Sequence, residues 1–162
     1  PRALPPAAAR RLGCTRVEAD ALAAEADALL LALPLSEETA GLVDAAFLAR
    51  LKPGCLLVNP ARGSLVDEAA VAEALESGRL AGYAADVFAC EDLARPERPA
   101  AVPPRLLAQA ERTLFTPHLG SAVAEVRHAI VREAALNLRD LLEGRRPRGA
   151  VNQPPRPRGA GP

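Results

Sequence analysis

The sequence predicts an α/β fold, a doubly wound parallel sheet covered by helices on both faces, and three observations lead to it. Short, continuously apolar runs alternate with stretches whose apolar residues recur at helical spacing, the pattern of buried strands joined by helical crossovers. Pro, Gly or a capping residue punctuates the alternation. Three runs are followed by an ionisable residue, Arg62, Glu91 or His118, and the carboxyl ends of parallel strands are where such sheets build ligand sites.

Residues 17–27 alternate small apolar and acidic residues at helical spacing, and residues 28–33 then read as a buried strand ended by Pro34. Ser36 with Glu37 and Glu38 supplies an N-cap and an acidic first turn, and a second short helix over 44–51 stops before Pro53 and Gly54. Residues 55–58 make the next strand. Asp67 caps a helix that carries Val71 and Leu75 on one face and ends at Gly78, with a strand over 83–88 after it; Glu68 serves the same helix start. A last strand over 113–116 precedes a long helix, 122–143, whose apolar stripe is Val123, Val126, Ile130, Ala134, Leu138 and Leu141, with His128 on its polar side and Gly144 at its end. The Arg-, Pro- and Gly-rich residues 145–162 cannot build a core, and disorder is expected beyond about Asn152. The expected organisation is a sheet domain over 1–121, a linking helix over 122–144 and a tail over 145–162.

Composition narrows the partners. A chain of 162 residues with 49% hydrophobic content suits one globular domain. Lys+Arg and Asp+Glu each number 20, so neither a nucleic-acid footprint nor an acidic solvating tail is expected. The longest apolar run, 28–35, falls far short of the roughly 20 residues of a membrane helix, and a soluble, cytoplasmic protein is expected. Cys14, Cys55 and Cys90 show neither CxxC spacing nor a disulfide framework, and each reads as a small buried hydrophobe in a reducing compartment. Nothing near Cys90 provides a cause for a reactive thiolate, and no metal site is expected. The chain begins at Pro1 and contains no methionine, so it reads as a piece of a longer one.

Arg62 sits in residues 59–68, between an apolar strand and a helix start, where a planar guanidinium can present paired donors to an oxyanion. Alone it would read as a surface cation. His118, between Pro117 and Leu119, can exchange a proton near neutral pH, and a carboxylate such as Glu91 would support its charged form. The charges of 95–98 read as a solvated loop.

The order and wording of the stretches 59–68, 86–91 and 116–121 resemble the D-isomer-specific 2-hydroxyacid dehydrogenase family, whose catalytic Arg, Glu and His follow this sequence at comparable spacing. The resemblance covers nearly the whole chain. It implies the second half of a Rossmann-type nucleotide-binding domain, with Arg62, Glu91 and His118 as catalytic residues. It further implies NAD, or NADP, as cofactor: Asp86 on the nicotinamide carboxamide, Leu33, Pro34 and Thr39 along the adenosine and pyrophosphate, and Pro60, Ala61, Gly120 and Ser121 near the nicotinamide. No G-x-G-x-x-G turn is present, so that phosphate cradle and most of a substrate domain are expected upstream, in a homodimeric parent about twice this length.

Within the family, residues 91–99 and 113–123, together with 82–88 and 31–35, resemble the phosphonate dehydrogenases, which implies hydride transfer from phosphite, a small anionic substrate. Two alternatives stay open. One is a 2-hydroxyacid dehydrogenase of the glyoxylate, hydroxypyruvate or phosphoglycerate type; the other is a non-catalytic module on the same fold that senses the nicotinamide cofactor.

Overall fold

Four short runs form the sheet. A computed structural model of the protein describes residues 5–152, and divides after Pro117 into two compact units. In the first unit β1 (Ala28–Leu30), β2 (Cys55–Asn59), β3 (Leu80–Ala85) and β4 (Thr113–Phe115) lie side by side in that order, every pair parallel. The register aligns Leu29 with Leu57, Leu57 with Tyr83 and Tyr83 with Thr113. Parallel neighbours require crossovers, which α3 (Ala45–Arg50) and α4 (Glu68–Glu76) supply; α1 (Pro6–Leu12) and α2 (Ala19–Glu25) precede the sheet and α5 (Pro104–Leu107) leads toward β4. This is the α/β architecture that the alternating pattern predicts.

Local chemistry starts and stops the helices. Asp44 accepts the Phe47 N–H at 2.7 Å and caps α3, and Asp67 accepts from Ala69 and Ala70 at 3.0 and 3.1 Å and caps α4. The α4 end is closed by Gly78 at φ 76°, a left-handed conformation that favours glycine, and by Arg112 Nη1, which donates to the Leu75 carbonyl at 2.6 Å. Arg105 binds Glu76 and Glu73 and so fastens α5 to α4.

Alternation along the strands sends Leu29, Leu31, Leu57, Tyr83 and Ala85 into one core with Phe47, Leu48, Val71, Leu75 and Leu106. On the opposite face Leu30, Leu56 and Leu114 are 61%, 47% and 67% exposed. Coverage of both faces was expected from the apolar runs; α2, α3, α4 and α5 contribute their buried residues to the core on one. A fully apolar run records that neither face is polar, and does not record where its cover comes from.

Several boundaries differ from expectation. The strand expected over 83–88 begins at Leu80, which pairs with Cys55, and leaves the ladder after Ala85. Ser36 starts hydrogen-bonded turns rather than a helix, because the Thr39 hydroxyl accepts the Ser36 N–H and donates to the Pro34 carbonyl, both at 2.8 Å, folding the segment on itself. Helices α1 and α5, both opened by proline, had no counterpart in the sequence reading. Cys55 is buried as expected, Cys90 is half-buried, and Cys14 is exposed.

The second unit contains α6 (Ala124–Leu142), ended by Gly144 at φ 71°. Asp140 is buried and accepts from Arg145 Nε and Nη2 at 3.2 and 2.7 Å, an interaction that holds its carboxyl below the usual carboxylate range. Asn137 Oδ1 accepts the Arg148 N–H, so the chain turns back along the helix. His128 is exposed. The disorder expected beyond Asn152 lies outside the described residues. Among the described residues no helix is long and apolar enough to cross a membrane.

Candidate active site

Two turns at the carboxyl ends of β2 and β3 carry Arg62 and Glu91, and their geometry starts with Asn59. This last residue of β2 is fully buried; its Oδ1 accepts the Ala61 N–H at 3.1 Å and its Nδ2 donates to the Arg62 carbonyl at 2.8 Å. The side chain thereby replaces strand hydrogen bonds with a tight turn and fixes Pro60, Ala61 and Arg62. Arg62 is exposed, with Nη1 donating to the Ala61 carbonyl at 2.6 Å, so its backbone is held while its guanidinium sits at the surface.

After β3 the chain passes through Asp86, whose N–H donates to the Asn59 carbonyl and whose Oδ1 accepts the Thr116 hydroxyl. Asp86 is therefore fixed to the ends of both neighbouring strands. A 3-10 turn, Ala89–Glu91, follows. Glu91 Oε1 accepts the Phe88 N–H at 3.1 Å, and the Phe88 ring meets Phe115 edge-to-face at 5.1 Å, which braces the turn against β4. Arg98 is exposed, as a solvated loop predicts, and its Nε donates to the Cys90 carbonyl at 3.2 Å, which ties the charged 95–98 segment to this turn.

The two turns are pressed together. A Cβ on Gly63 would lie 1.8 Å from the Phe88 carbonyl carbon and 2.1 Å from the Ala89 nitrogen, so the approach is possible for glycine alone. Ser64 donates its N–H to Asp92 Oδ2 at 2.7 Å, and Ala89 donates to Glu68 Oε1 at 2.7 Å. Glu68 opens α4 and is the acidic residue of its first turn, as its position suggested, and its side chain also reaches the other turn: it is buried, its Oε2 makes no hydrogen bond among the described residues, and burial, with Asp92, Glu91 and Asp67 nearby, pushes its carboxyl up. Burial likewise raises Cys90, so its thiol is not activated, and pushes Tyr83 up.

Asn59, Gly63, Glu68 and Asp92 are the residues that sequence reasoning left without a role at the site. An Asn closing an apolar run was a usable signal for the turn; nothing local announces that Glu68 points inward.

Leu33 and Pro34 follow β1 at the same end of the sheet, Leu33 half-buried against the core and Thr39 locking their loop. An apolar loop end after β1 and a fixed carboxylate after β3, at the same edge with β2 between them, suit the flat, partly polar body of a nicotinamide dinucleotide. The first unit thus brings together Arg62, Glu91, Asp86, Pro60 and Ala61, with Leu33, Pro34 and Thr39 along the same edge. His118, Gly120 and Ser121 fall in the second unit. His118 has φ 55°, a left-handed backbone rare for a residue with a side chain, and Ser121 accepts from Arg127 Nε through its carbonyl at 3.3 Å. No cluster of His, Cys, Asp or Glu suited to a metal ion occurs among the described residues.

Residues 1–120 match the family model of the D-isomer specific 2-hydroxyacid dehydrogenase NAD-binding domain. The chain is 37% identical over 146 residues to D-3-phosphoglycerate dehydrogenase of Synechocystis, and 37% identical over 147 residues to glyoxylate/hydroxypyruvate reductase B of Klebsiella pneumoniae. These alignments cover 90% and 91% of this chain and 25% and 43% of those proteins, so the chain spans less than half the length of either relative. Among solved structures it is similar to a glyoxylate reductase from Paecilomyes thermophila, with TM-score 0.74 and 34% identity over 86% of this chain and 39% of that one. It is also similar to the holo form of Rhodotorula graminis D-mandelate dehydrogenase, with TM-score 0.80 and 29% identity over 94% of this chain and 43% of that one.

Proposed function

From the premise that this chain belongs to the D-isomer specific 2-hydroxyacid dehydrogenase family through its NAD-binding domain, we propose that it acts within a longer dehydrogenase chain that interconverts a D-2-hydroxy acid and its 2-keto acid. The observation that carries this reading is the contact between the Arg62 and Glu91 turns at the carboxyl edge of the sheet. NAD supplies the hydride acceptor when bound. Leu33, Pro34 and Thr39 would line the dinucleotide, Asp86 would accept from the carboxamide, and Pro60, Ala61, Gly120 and Ser121 would border the nicotinamide. Arg62 would hold the substrate carboxylate through paired donors. His118 would exchange the proton of the substrate hydroxyl, with Glu91 supporting the imidazolium.

Phosphite oxidation, the narrower expectation, finds no support in the relatives named above, whose names are those of phosphoglycerate, glyoxylate/hydroxypyruvate and mandelate enzymes. A 2-keto acid fits the same fork of guanidinium donors. The deciding experiment follows NADH absorbance in the full-length protein, with glyoxylate and hydroxypyruvate in the reducing direction, and 3-phosphoglycerate or phosphite with NAD in the oxidising one. Turnover of a keto or hydroxy acid is expected, with Arg62→Lys recovering part of what Arg62→Ala loses. Turnover of phosphite alone would reinstate the narrower reading, and NAD binding without any turnover would leave a cofactor-sensing module. A homodimeric parent is a further proposal, checked by its mass in solution.

A further inference from the structure

The Arg62 and Glu91 turns are joined by carboxylates that cross in opposite directions. Glu68 follows the arginine turn in sequence and accepts from Ala89 in the other; Asp92 follows Glu91 and accepts from Ser64 in the first. Between these two bonds the backbones meet at Gly63 with no room for a side chain. The Glu91 turn is closed on itself by Glu91 N–H donating to the Phe88 carbonyl and Asp92 N–H to the Ala89 carbonyl, so a shift at Ala89 moves Glu91 with it. The arginine turn is equally rigid, since Asn59 clamps it and Val66 N–H donates to the Gly63 carbonyl.

We propose that Glu68 and Asp92 are reciprocal positioning residues that make the two turns one rigid body and so set the separation of Arg62 from Glu91. Neither needs to touch substrate. The inference rests on the proposed dehydrogenase reading for its catalytic consequence, while the coupling of the turns stands apart from it. Glu68 is buried with its second oxygen unpartnered among the described residues, a costly arrangement that a surface helix start has no reason to keep. Removing either carboxylate leaves one backbone N–H without its acceptor and frees one side of the joint.

The test uses the full-length protein in two arms. Hydrogen exchange of peptides covering 61–66 and 87–92 is expected to accelerate in both peptides for Asp92→Ala and again for Glu68→Ala, and to stay slow in Glu68→Gln, which keeps the acceptor for Ala89. Acceleration confined to the peptide that lost its own bond would overturn the rigid-body claim. Should Glu68→Ala fail to fold, the half-buried Asp92 carries the same test. In the second arm, Asp92→Ala is expected to lower kcat/KM for glyoxylate with NADH roughly tenfold, and by less than about twofold when Glu91→Gln is already present, because a residue acting through Glu91 has little left to position. Equal losses in the two backgrounds would overturn the positioning role. Absence of turnover in the unsubstituted protein counts against the dehydrogenase reading, and the exchange arm then decides the coupling by itself.

Discussion

Helices α4 and α6 share an amphipathic pattern and differ in what becomes of it. Along α4, Val71, Ala72 and Leu75 are fully buried and the helix closes the core over Leu57 and Tyr83. Along α6, Val126, Ile130 and Leu138 are 40%, 54% and 57% exposed. Periodicity therefore encodes a face and leaves its partner unspecified. The difference reaches the site: α4 starts at the arginine turn, and its buried first residue, Glu68, grips the other turn, so packing of the helix and alignment of the site are one event.

Gly63→Ala should break the α4 side of this comparison most severely. Its methyl group would fall within bonding distance of the Phe88 and Ala89 backbone, and relief requires the two turns to separate. A loss of about 3 kcal/mol or more is expected from chemical denaturation. A midpoint like that of the unsubstituted chain would show the turns to be freely separable.

Leu75→Ala comes next, since a fully buried leucine truncated in a packed core costs about 2–5 kcal/mol. Ile130→Ala in α6 should cost under about 1 kcal/mol in this chain, because the side chain is already half in water. Similar losses at the two positions would mean that the α6 stripe is packed in solution and would erase the contrast.

Glu68→Gln gives a smaller effect with a definite sign. Burial raises the folded-state value of Glu68 above its ordinary 4.5, so the advantage of binding a proton is complete below that value and is lost as pH rises through the folded one. Glutamine keeps an acceptor for Ala89 without the charge. Stability of the substituted chain relative to the original should therefore improve as pH climbs above 4.5, read from denaturation midpoints at a series of pH values. A difference that does not vary with pH would show that Glu68 titrates as an exposed carboxylate.

Much of this molecule was legible residue by residue. Asp67 capped the helix that it announced, the helix expected over 44–51 formed as Ala45–Arg50, Gly78 and Gly144 ended theirs, and the runs at 55–58 and 113–116 became strands within one residue of their expected limits. Such features depend on atoms within one or two turns of each other along the chain. The start of β3 at Leu80 was less legible, because Arg79 and Gly82 interrupt the apolar run and pairing with Cys55 overrides them.

The sequence by itself determined the alternation of elements, their caps and the identity of the ionisable residues at the strand ends, since these follow from periodicity and from hydrogen bonds spanning a few residues. Tertiary structure alone decided that Glu68 turns inward, that Gly63 admits no side chain and that Leu30, Leu56 and Leu114 stay exposed on one sheet face among the described residues. The bonds responsible join residues 21 and 28 positions apart, Ala89 to Glu68 and Ser64 to Asp92. Such pairs meet only after the parallel register of β2 and β3 has brought the two turns to the same edge, and no local pattern carries that register.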